Sequence, residues 1–266
     1  MGDATIQSQK PKFSYLDMLA SVGFAKHIGG SKATDELIKK ADIKPGSFVL
    51  DIGCGLGRTS CRLAGELGCT VVGIDLMPRM IEESKKRAMA AGVNDRVSFI
   101  RSDARRLPFK PDMFDTVIVE SVTIFLDDVE NAISGYKSVI KEGGYICDNE
   151  VCITRLSKEK LKEKVEDIES VFKAFSSDTN KGMLTYEDWR DIYESQFNEV
   201  SSKHYTIDPR VEAEINREEG VSVFRSMIKS MWLYMTNPEA RKIMDESKKL
   251  AYYTDHFGYG LFVCKK

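Results

Sequence analysis

The segment DIGCGLG, from Asp51 to Gly57, constrains the fold of this chain more than any other feature of the sequence. It follows the apolar run Ser47–Leu50, and this order predicts a β-strand, a glycine-rich turn and the start of a helix. The glycines at 53, 55 and 57 allow a sharp turn and the close approach of a flat ligand, because no side chain occupies that space. The segment therefore predicts a site for a nucleotide-like ligand.

The carboxylate of Asp51, at the end of the predicted strand, indicates the charge of that ligand. It would repel a pyrophosphate and attract a cation, and the GxGxG spacing differs from the GxGxxG of dinucleotide sites. S-adenosylmethionine carries both a sulfonium and an ammonium group, so it is the cofactor that we expect. In the alternative interpretation, the glycines serve only a tight strand-to-helix turn.

Three further apolar runs end in polar residues that complete this site. The second run ends at Asp75, which can accept hydrogen bonds from ribose hydroxyls. The third run leads to Asp103, which can accept a hydrogen bond from the amino group of adenine. The fourth ends at Glu120, opposite the glycine turn. Carboxyl ends of parallel strands meet at one edge of a sheet, so we expect one crevice. The expected cofactor contacts are Asp51, Gly53, Cys54, Gly55, Gly57, Asp75, Leu76, Ser102, Asp103, Ala104, Glu120 and Ser121.

On these motifs the chain resembles the class I S-adenosylmethionine-dependent methyltransferases, strongly over about 45–155 and weakly elsewhere. The matching segments are VLDIGCGLG at 49–57, VVGIDLMPRMIEESKKRA at 71–88, FIRSDARRLPF at 99–109, FDTVIVESVTIFLDD at 114–128 and IKEGGYICDNE at 140–150. The resemblance implies that the three glycines border the methionyl part of the cofactor, Asp75 the ribose, and Asp103 with Ala104 the adenine. The C-terminal HFGYGLFVCKK is also faintly similar to that of phosphoethanolamine and related amine N-methyltransferases.

Alternating strand and helix signals predict an α/β fold with a seven-stranded, mostly parallel, doubly wound sheet. The expected strands are 47–51, 70–75, 97–101, 114–120, 143–150, 199–206 and 258–264. We divide the chain into an N-terminal helical cover (1–40), the cofactor-binding core (41–155), the rest of the core (156–208), a helical lid insertion (209–257) and the last strand (258–266). We expect three helix caps. Ser31 is the expected cap of the helix Ser31–Lys39, and Ser157 that of the helix Lys158–Phe175. Thr185 is the expected cap of the helix before strand six, with Asp188 three residues further on.

The two covering segments are expected to hold the substrate. Phe13–Lys40 begins with an amphipathic pattern, which suits either a segment that closes over the cofactor or a simple packing helix. The insertion contains the helix Gly220–Tyr234, followed by a second helix to about Tyr253. In the first of these helices, the Met and aromatic stripe at 223, 224, 227, 231 and 234 has the spacing of a core face. The same stripe could also cover the methyl-donor site. The substrate candidates are Tyr15, His27, Phe125, Trp232, Tyr252 and Tyr253.

The reaction itself limits the choice of catalytic group. Methyl transfer from a sulfonium is an in-line displacement that depends on orientation and exclusion of water. A hydroxyl or ammonium acceptor must also lose a proton, and the chain has three histidines, His27, His204 and His256. Relatives often carry histidine after strand four, where this chain has Ile124-Phe125. His256 is our candidate base, with an ordinary packing or surface histidine as the alternative, and we expect His204 to be structural.

The composition limits which classes of partner and which cellular location we expect for this chain. The net charge of −2 provides no basic footprint for nucleic acid. There is no apolar run of about 18 residues and no apolar core of a signal peptide near Met1, so we expect a cytoplasmic protein without membrane segments. The six cysteines show no metal-ligand spacing, so we expect reduced core residues and no metal, and a thiol-chelated arsenic substrate lacks a matching cysteine arrangement.

Three classes of function fit these features, and the oligomeric state is left open. A small-molecule methyltransferase, with an amine as one candidate acceptor, accounts for the motifs and both covers. A protein or RNA methyltransferase would need an open acceptor groove. A non-catalytic cofactor-binding regulator would use the same cofactor site without transferring a methyl group.

Overall fold

The computed structural model describes residues 13, 15–22, 27–161, 184–208, 210–212, 214, 223–250 and 256–266. The strands are β1 Phe48–Ile52, β2 Thr70–Asp75, β3 Val97–Arg101, β4 Phe114–Glu120, β5 Ile140–Cys152, β6 Glu199–Thr206 and β7 Gly258–Lys265. The helices are α1 Tyr15–Val22, α2 Gly30–Lys40, α3 Arg58–Leu67, α4 Pro78–Ala91, α5 Val129–Val139, α6 Arg155–Lys160, α7 Tyr186–Gln196, α8 Val223–Thr236 and α9 Pro238–Leu250, with a 3₁₀ turn at Thr123–Phe125.

The seven strands form one sheet in the order β3-β2-β1-β4-β5-β7-β6. β7 runs antiparallel to β5 and β6, whereas the neighbours from β3 to β5 are parallel. This is the predicted fold, which is therefore confirmed. The strand order reverses between β1 and β4, and open α/β sheets bind ligands at the carboxyl ends of the strands beside such a point.

Apolar layers cover both faces of the sheet. Val49 of β1 belongs to the layer with Leu37 of α2 and Leu63 of α3, while its neighbour Leu50 belongs to the opposite layer with Trp189 of α7. Side chains of a strand alternate between faces, so an uninterrupted apolar run is what a strand covered on both sides requires. This double burial fixes the positions of the strand ends that form the candidate site.

Two of the three predicted helix caps are wrong. Helix α2 begins at Gly30, and the residue at its cap position is Gly29. Gly29 has a φ of 82° and makes no side-chain cap hydrogen bond, and Ser31 lies inside the helix. Thr154 caps α6 by accepting the backbone N–H of Ser157 at 3.1 Å, so Ser157 lies inside the helix, three residues past the cap. The remainder of that predicted helix lies beyond 161, outside the described residues. The capping box of Thr185 and Asp188 is confirmed.

Helices α1, α8 and α9 form a separate apolar cluster above the sheet. It contains Met18, Val22, Leu233, Ala240 and Ile243, with Phe125 packed against it. Since Phe125 follows the end of β4, this cluster lies at the carboxyl edge of the strands. The prediction that the Met and aromatic stripe of α8 is core is wrong for positions 224, 227 and 231, which are exposed, because Leu233 makes the inward contact instead. No helix in the part of the chain that we describe is long and apolar enough to cross a bilayer.

Candidate cofactor and active site

The glycine turn is held by hydrogen bonds to the end of β2. Cys54 donates its backbone N–H to the carbonyl of Ile74 at 2.9 Å, and Gly55 donates to Oδ2 of Asp75 at 3.0 Å. Gly53 has a φ of 69°, and a Cβ atom there would overlap the side chain of Val122, which follows β4. The turn thus needs glycine both for its backbone conformation and for its contact with the neighbouring loop.

Asp75 joins two loops at the carboxyl edge. Its Oδ1 accepts the N–H of Met77 at 2.8 Å, while Oδ2 accepts that of Gly55. Burial raises its pKa, and these two backbone hydrogen bonds oppose that effect. Each carboxylate oxygen has a second lone pair, so the side chain can accept further hydrogen bonds. Leu76, the next residue, is exposed and its carbonyl accepts Nε of Arg101 at 3.2 Å.

Asp51 is a buried carboxylate beside the turn. Ser60 of α3 donates its hydroxyl to Oδ2 of Asp51. Burial, followed by the charges of Glu120 and Asp75, raises the pKa of Asp51 to about 7 against the opposing effect of the Ser60 hydrogen bond. The three carboxylates therefore create a negative potential at the switch point, which a cation would relieve.

Glu120, at the end of β4, is the point where four elements meet. Its Oε1 accepts the hydroxyl of Thr34 from α2 at 2.7 Å, and its Oε2 accepts that of Thr59 from α3 at 2.7 Å. Nε2 of His27 lies 3.2 Å from Oε1. The histidine precedes α2, so the carboxylate ties the N-terminal segment to the centre of the sheet.

The neighbours of His27 determine its tautomer. Nε2 lies 2.9 Å from the carbonyl of Gly30 as well as 3.2 Å from the Glu120 carboxylate. Both groups can only accept, so Nε2 must carry a proton and donate it. In the neutral ring Nδ1 is then the acceptor nitrogen, and it makes no hydrogen bond within the described chain. A histidine oriented in this way by a carboxylate can take up a proton at Nδ1.

The loop after β4 is shaped by residues of β5 that sequence reasoning missed. Ser121 has a φ of 57° and donates its N–H to the carbonyl of Asn149 at 2.7 Å. The N–H groups of Val122 and Thr123 donate to Oε1 of buried Glu150 at 3.0 and 2.7 Å. These contacts hold the 3₁₀ turn that carries Phe125. Acidic residues inside an apolar strand, in the sequence DNE, were the available signal.

Asp148 is the second buried acid of β5, on the same face as Glu150. Tyr193 of α7 donates its hydroxyl to Oδ2 of Asp148. Burial raises the pKa of Asp148 to about 7, despite the Tyr193 hydrogen bond, and raises that of Glu150 well above its usual range. On the other face of β5, Asn149 donates Nδ2 to the carbonyl of Ile28 at 2.8 Å. The end of β5 therefore fixes both the loop after β4 and the segment that carries His27.

The third strand end holds the segment expected near adenine. Ser102 donates its N–H to the carbonyl of Asp75 at 3.1 Å, which aligns this segment with β2. The carboxylate of Asp103 accepts from the backbone and guanidinium of Arg105, and the guanidinium bond is the main reason why its pKa is lowered. Ala104 packs against the apolar layer. A role for this segment in binding adenine remains a prediction.

The predicted substrate and catalytic residues are dispersed. His27 contacts Glu120, and Phe125 packs under the covering helices, but Trp232 is exposed on α8. His256 is half-buried two residues before β7 and makes no hydrogen bond or ion pair with the rest of the described chain. Tyr15 lies on α1 with an undescribed side chain, and Tyr252 and Tyr253 lie outside the described residues. The ring of His204 packs at a tilt against that of Tyr186, and burial lowers the pKa of His204, which fits a structural role.

Comparisons with known proteins agree with this geometry. Residues 49–144 match a family model described as a methyltransferase domain. The methyltransferase GfsG of Streptomyces halstedii is 30% identical over 143 residues, which are 54% of this chain and 49% of that protein, so the match spans about half the length of that relative.

Two solved structures share the fold. The [4+2]-cyclase SpnF has a TM-score of 0.74 and 18% identity, over 94% of this chain and 92% of that one. Phosphoethanolamine N-methyltransferase 2 of Haemonchus contortus, in complex with S-adenosylmethionine, has a TM-score of 0.64 and 21% identity over 94% of this chain and 57% of that one. At such identities the likeness concerns the fold. The family match identifies residues 49–144 as a methyltransferase domain, and the strand order and glycine turn are those that the resemblance to class I S-adenosylmethionine-dependent methyltransferases implies.

Proposed function

We propose that this protein is an enzyme that transfers a methyl group from S-adenosylmethionine to a small molecule, with an amine as the acceptor. The observation that carries the proposal is the convergence of Asp51, Asp75 and Glu120 around the glycine turn. Burial is the main reason why the pKa of Asp51 is raised, and the negative charges of Glu120 and Asp75 raise it further. A ligand with an ammonium and a sulfonium group would supply the missing positive charge.

The residues that would hold the cofactor are those of the strand ends. We assign the methionyl part to the turn Gly53–Gly57 and to Asp51, the ribose to Asp75, and the adenine to Ser102–Ala104. Bound S-adenosylmethionine supplies an electrophilic methyl group. The carboxylate of Asp75 already accepts one N–H on each oxygen, and its remaining lone pairs can accept ribose hydroxyls without breaking the turn.

We assign the proton transfer to His27 rather than to the candidate His256. An ammonium acceptor must lose a proton before its nitrogen can attack, and Nδ1 of His27 is the acceptor nitrogen of a ring whose Nε2 faces Glu120. The carboxylate holds the ring in one orientation and stabilises the imidazolium that forms. His256 has no such partner in the described chain. The likeness to a phosphoethanolamine N-methyltransferase supports an amine as the acceptor class.

The apolar cluster above the strands supports a small acceptor. Met18 and Val22 of the N-terminal cover pack with Leu233 of the insertion, and Phe125 reaches the same cluster from the end of β4. We propose that the covers at 1–40 and 209–257 exclude water from the reacting atoms. A macromolecular acceptor would require this cluster to open.

The test is to incubate the purified protein with S-adenosylmethionine and a pooled metabolite library rich in amines, and to follow S-adenosylhomocysteine and mass gains of one methyl group. A methylated amine is the expected product. Transfer only to protein or RNA extract would overturn the small-molecule assignment. Tight cofactor binding without transfer to any pool would instead favour a role other than methyl transfer, for which the likeness to a cyclase is the specific precedent.

A further inference from the structure

Helix α8 presents six large apolar side chains to solvent. Their exposed fractions lie between 48% for Ile228 and 73% for Phe224. They recur at spacings of three and four residues, so they share one side of the helix. We call this set the outer face of α8, and its members are Phe224, Met227, Ile228, Met231, Trp232 and Met235. A contiguous exposed apolar surface of this kind marks an interaction site.

The opposite side of α8 already makes the contacts that hold the helix in place. Leu233 is buried in the cluster with Met18, and the hydroxyl of Ser226 donates to the carbonyl of Val22 at 3.2 Å. On the flank beside Met227, Tyr234 donates its hydroxyl to Oδ1 of Asp245 on α9 at 3.2 Å. The outer face is therefore not needed for packing α8 onto α1 and α9.

The charges of α8 favour an anionic partner. The helix contains no acidic residue, and its two charged residues are the exposed cations Arg225 and Lys229. At about 100° per residue both fall beside Trp232, on one flank of the outer face. An apolar face with an aromatic side chain and flanking cations can sink its side chains below lipid headgroups while the cations meet phosphates.

A second copy of the chain fits this face less well. A two-fold contact brings the same residues of both copies together. Such a contact between outer faces would bring the Lys229 side chains of both copies to one boundary, with no acidic residue of α8 between them. A small acceptor molecule, for its part, could cover only a fraction of six large side chains.

We propose that the outer face of α8 docks on an anionic phospholipid surface. The contact is a surface contact by one helix and requires no segment that crosses the bilayer. Because α8 packs over the carboxyl edge of the strands, docking would bring that edge close to the lipid surface.

The chain offers a direct spectroscopic test. It has two tryptophans, of which Trp189 is fully buried and Trp232 is on the outer face. We expect the purified full-length protein to co-sediment with vesicles of phosphatidylglycerol and phosphatidylcholine, with a blue shift of Trp232 emission. Binding to phosphatidylcholine alone should be weaker. Lys229→Gln should weaken binding to the anionic vesicles about fivefold, whereas Lys85→Gln, at another exposed lysine, should not.

Substitutions of its apolar side chains by aspartate test the outer face itself. Met227→Asp with Met231→Asp should abolish co-sedimentation, whereas Met89→Asp should retain it, since Met89 is also exposed but lies near the end of α4, at the opposite edge of the sheet. A thermal melt checks that each variant is folded. Absence of wild-type binding to anionic vesicles, or unchanged binding by the double variant, would overturn the proposal. A concentration-dependent dimer that the double variant abolishes, without vesicle binding by wild type, would assign the face to a second copy.

Discussion

Nε2 of His27 lies 3.2 Å from Oε1 of Glu120, so a residue of the N-terminal cover touches the end of the central strand β4. The same carboxylate accepts hydroxyls from Thr34 and Thr59. The cover and the cofactor-binding core are thus connected at the candidate site itself. Any change that moves α2 will also change the orientation of the proposed base.

The proposed base is tested by two matched variants. His27→Gln should lower kcat about 100-fold, because the acceptor loses its positioned base, while the affinity for S-adenosylmethionine changes little. His256→Gln should leave kcat near that of the wild type. Initial rates of S-adenosylhomocysteine formation with the identified acceptor measure both. A large loss with His256→Gln and none with His27→Gln would return the role to His256.

Asp51 should make cofactor binding depend on pH. Its pKa of about 7 in the unliganded protein means that it is mostly protonated at pH 6 and mostly ionised at pH 8. A cationic ligand favours the ionised form, so the Kd for S-adenosylmethionine should fall about tenfold between pH 6 and pH 8. Isothermal titration calorimetry measures this change. Asp51→Asn should flatten the profile, and a flat wild-type profile would contradict the charge argument.

Gly53→Ala should destabilise the protein through two separate effects. The new Cβ would overlap Val122, and the φ of 69° is unfavourable for alanine. We expect a loss of roughly 1–3 kcal/mol in the free energy of unfolding, measured in urea. Gly92→Ala is the control for backbone strain, since its φ is 67° with no atom within 4 Å of the added Cβ.

The Val122→Ala variant then isolates the steric effect. Combined with Gly53→Ala it should lose less stability than the sum of the two single changes, because the truncated side chain no longer meets the added methyl. Equal losses for Gly53→Ala and Gly92→Ala, with additive behaviour of the pair, would show that the loop moves away freely.

Tyr193→Phe should destabilise the protein more at high pH than at low pH. The change removes the hydroxyl that donates to buried Asp148, whose pKa is about 7. At pH 8 the carboxylate is ionised and unsatisfied, with an expected loss of about 2–3 kcal/mol, whereas at pH 5 it is protonated and the loss is smaller. Urea unfolding at the two pH values measures the difference.

Tyr186→Phe provides the control for that experiment. Its hydroxyl lies 2.9 Å from the hydroxyl of Ser202, a neutral partner. The loss should be about 1 kcal/mol and equal at the two pH values. A pH-independent loss for Tyr193→Phe would show that Asp148 does not ionise in this range.

The central strands β1, β2 and β4 could be predicted because each is a mainly apolar run with an acidic residue at or near its end. The main difference is at β5, which begins at Ile140 rather than at 143. Ile140 pairs with Phe114 before a register shift, and the glycines at 143 and 144 interrupt the apolar pattern that would reveal this pairing. The caps at Ser31 and Ser157 were misplaced because the residues at the cap positions, Gly29 and Thr154, lie two and three residues earlier.

The site could be predicted only in part. The strand ends Asp51, Asp75 and Glu120 were evident, since each follows an apolar run directly. Their partners were not, because Thr34 lies far from Glu120 along the chain and only the folded sheet brings them together. Helical spacing identified the apolar side of α8, but spacing does not reveal whether that side meets protein or solvent.

Thr206 and Gly258 are paired at the end of the antiparallel ladder between β6 and β7. The chain therefore leaves the sheet before the insertion and re-enters it afterwards at adjacent positions, as it would around a hairpin loop. Loop-closure entropy grows only slowly with length, so the sheet places little restriction on what is inserted there. The insertion can therefore differ between proteins of this fold without disturbing the strand ends that form the candidate cofactor site.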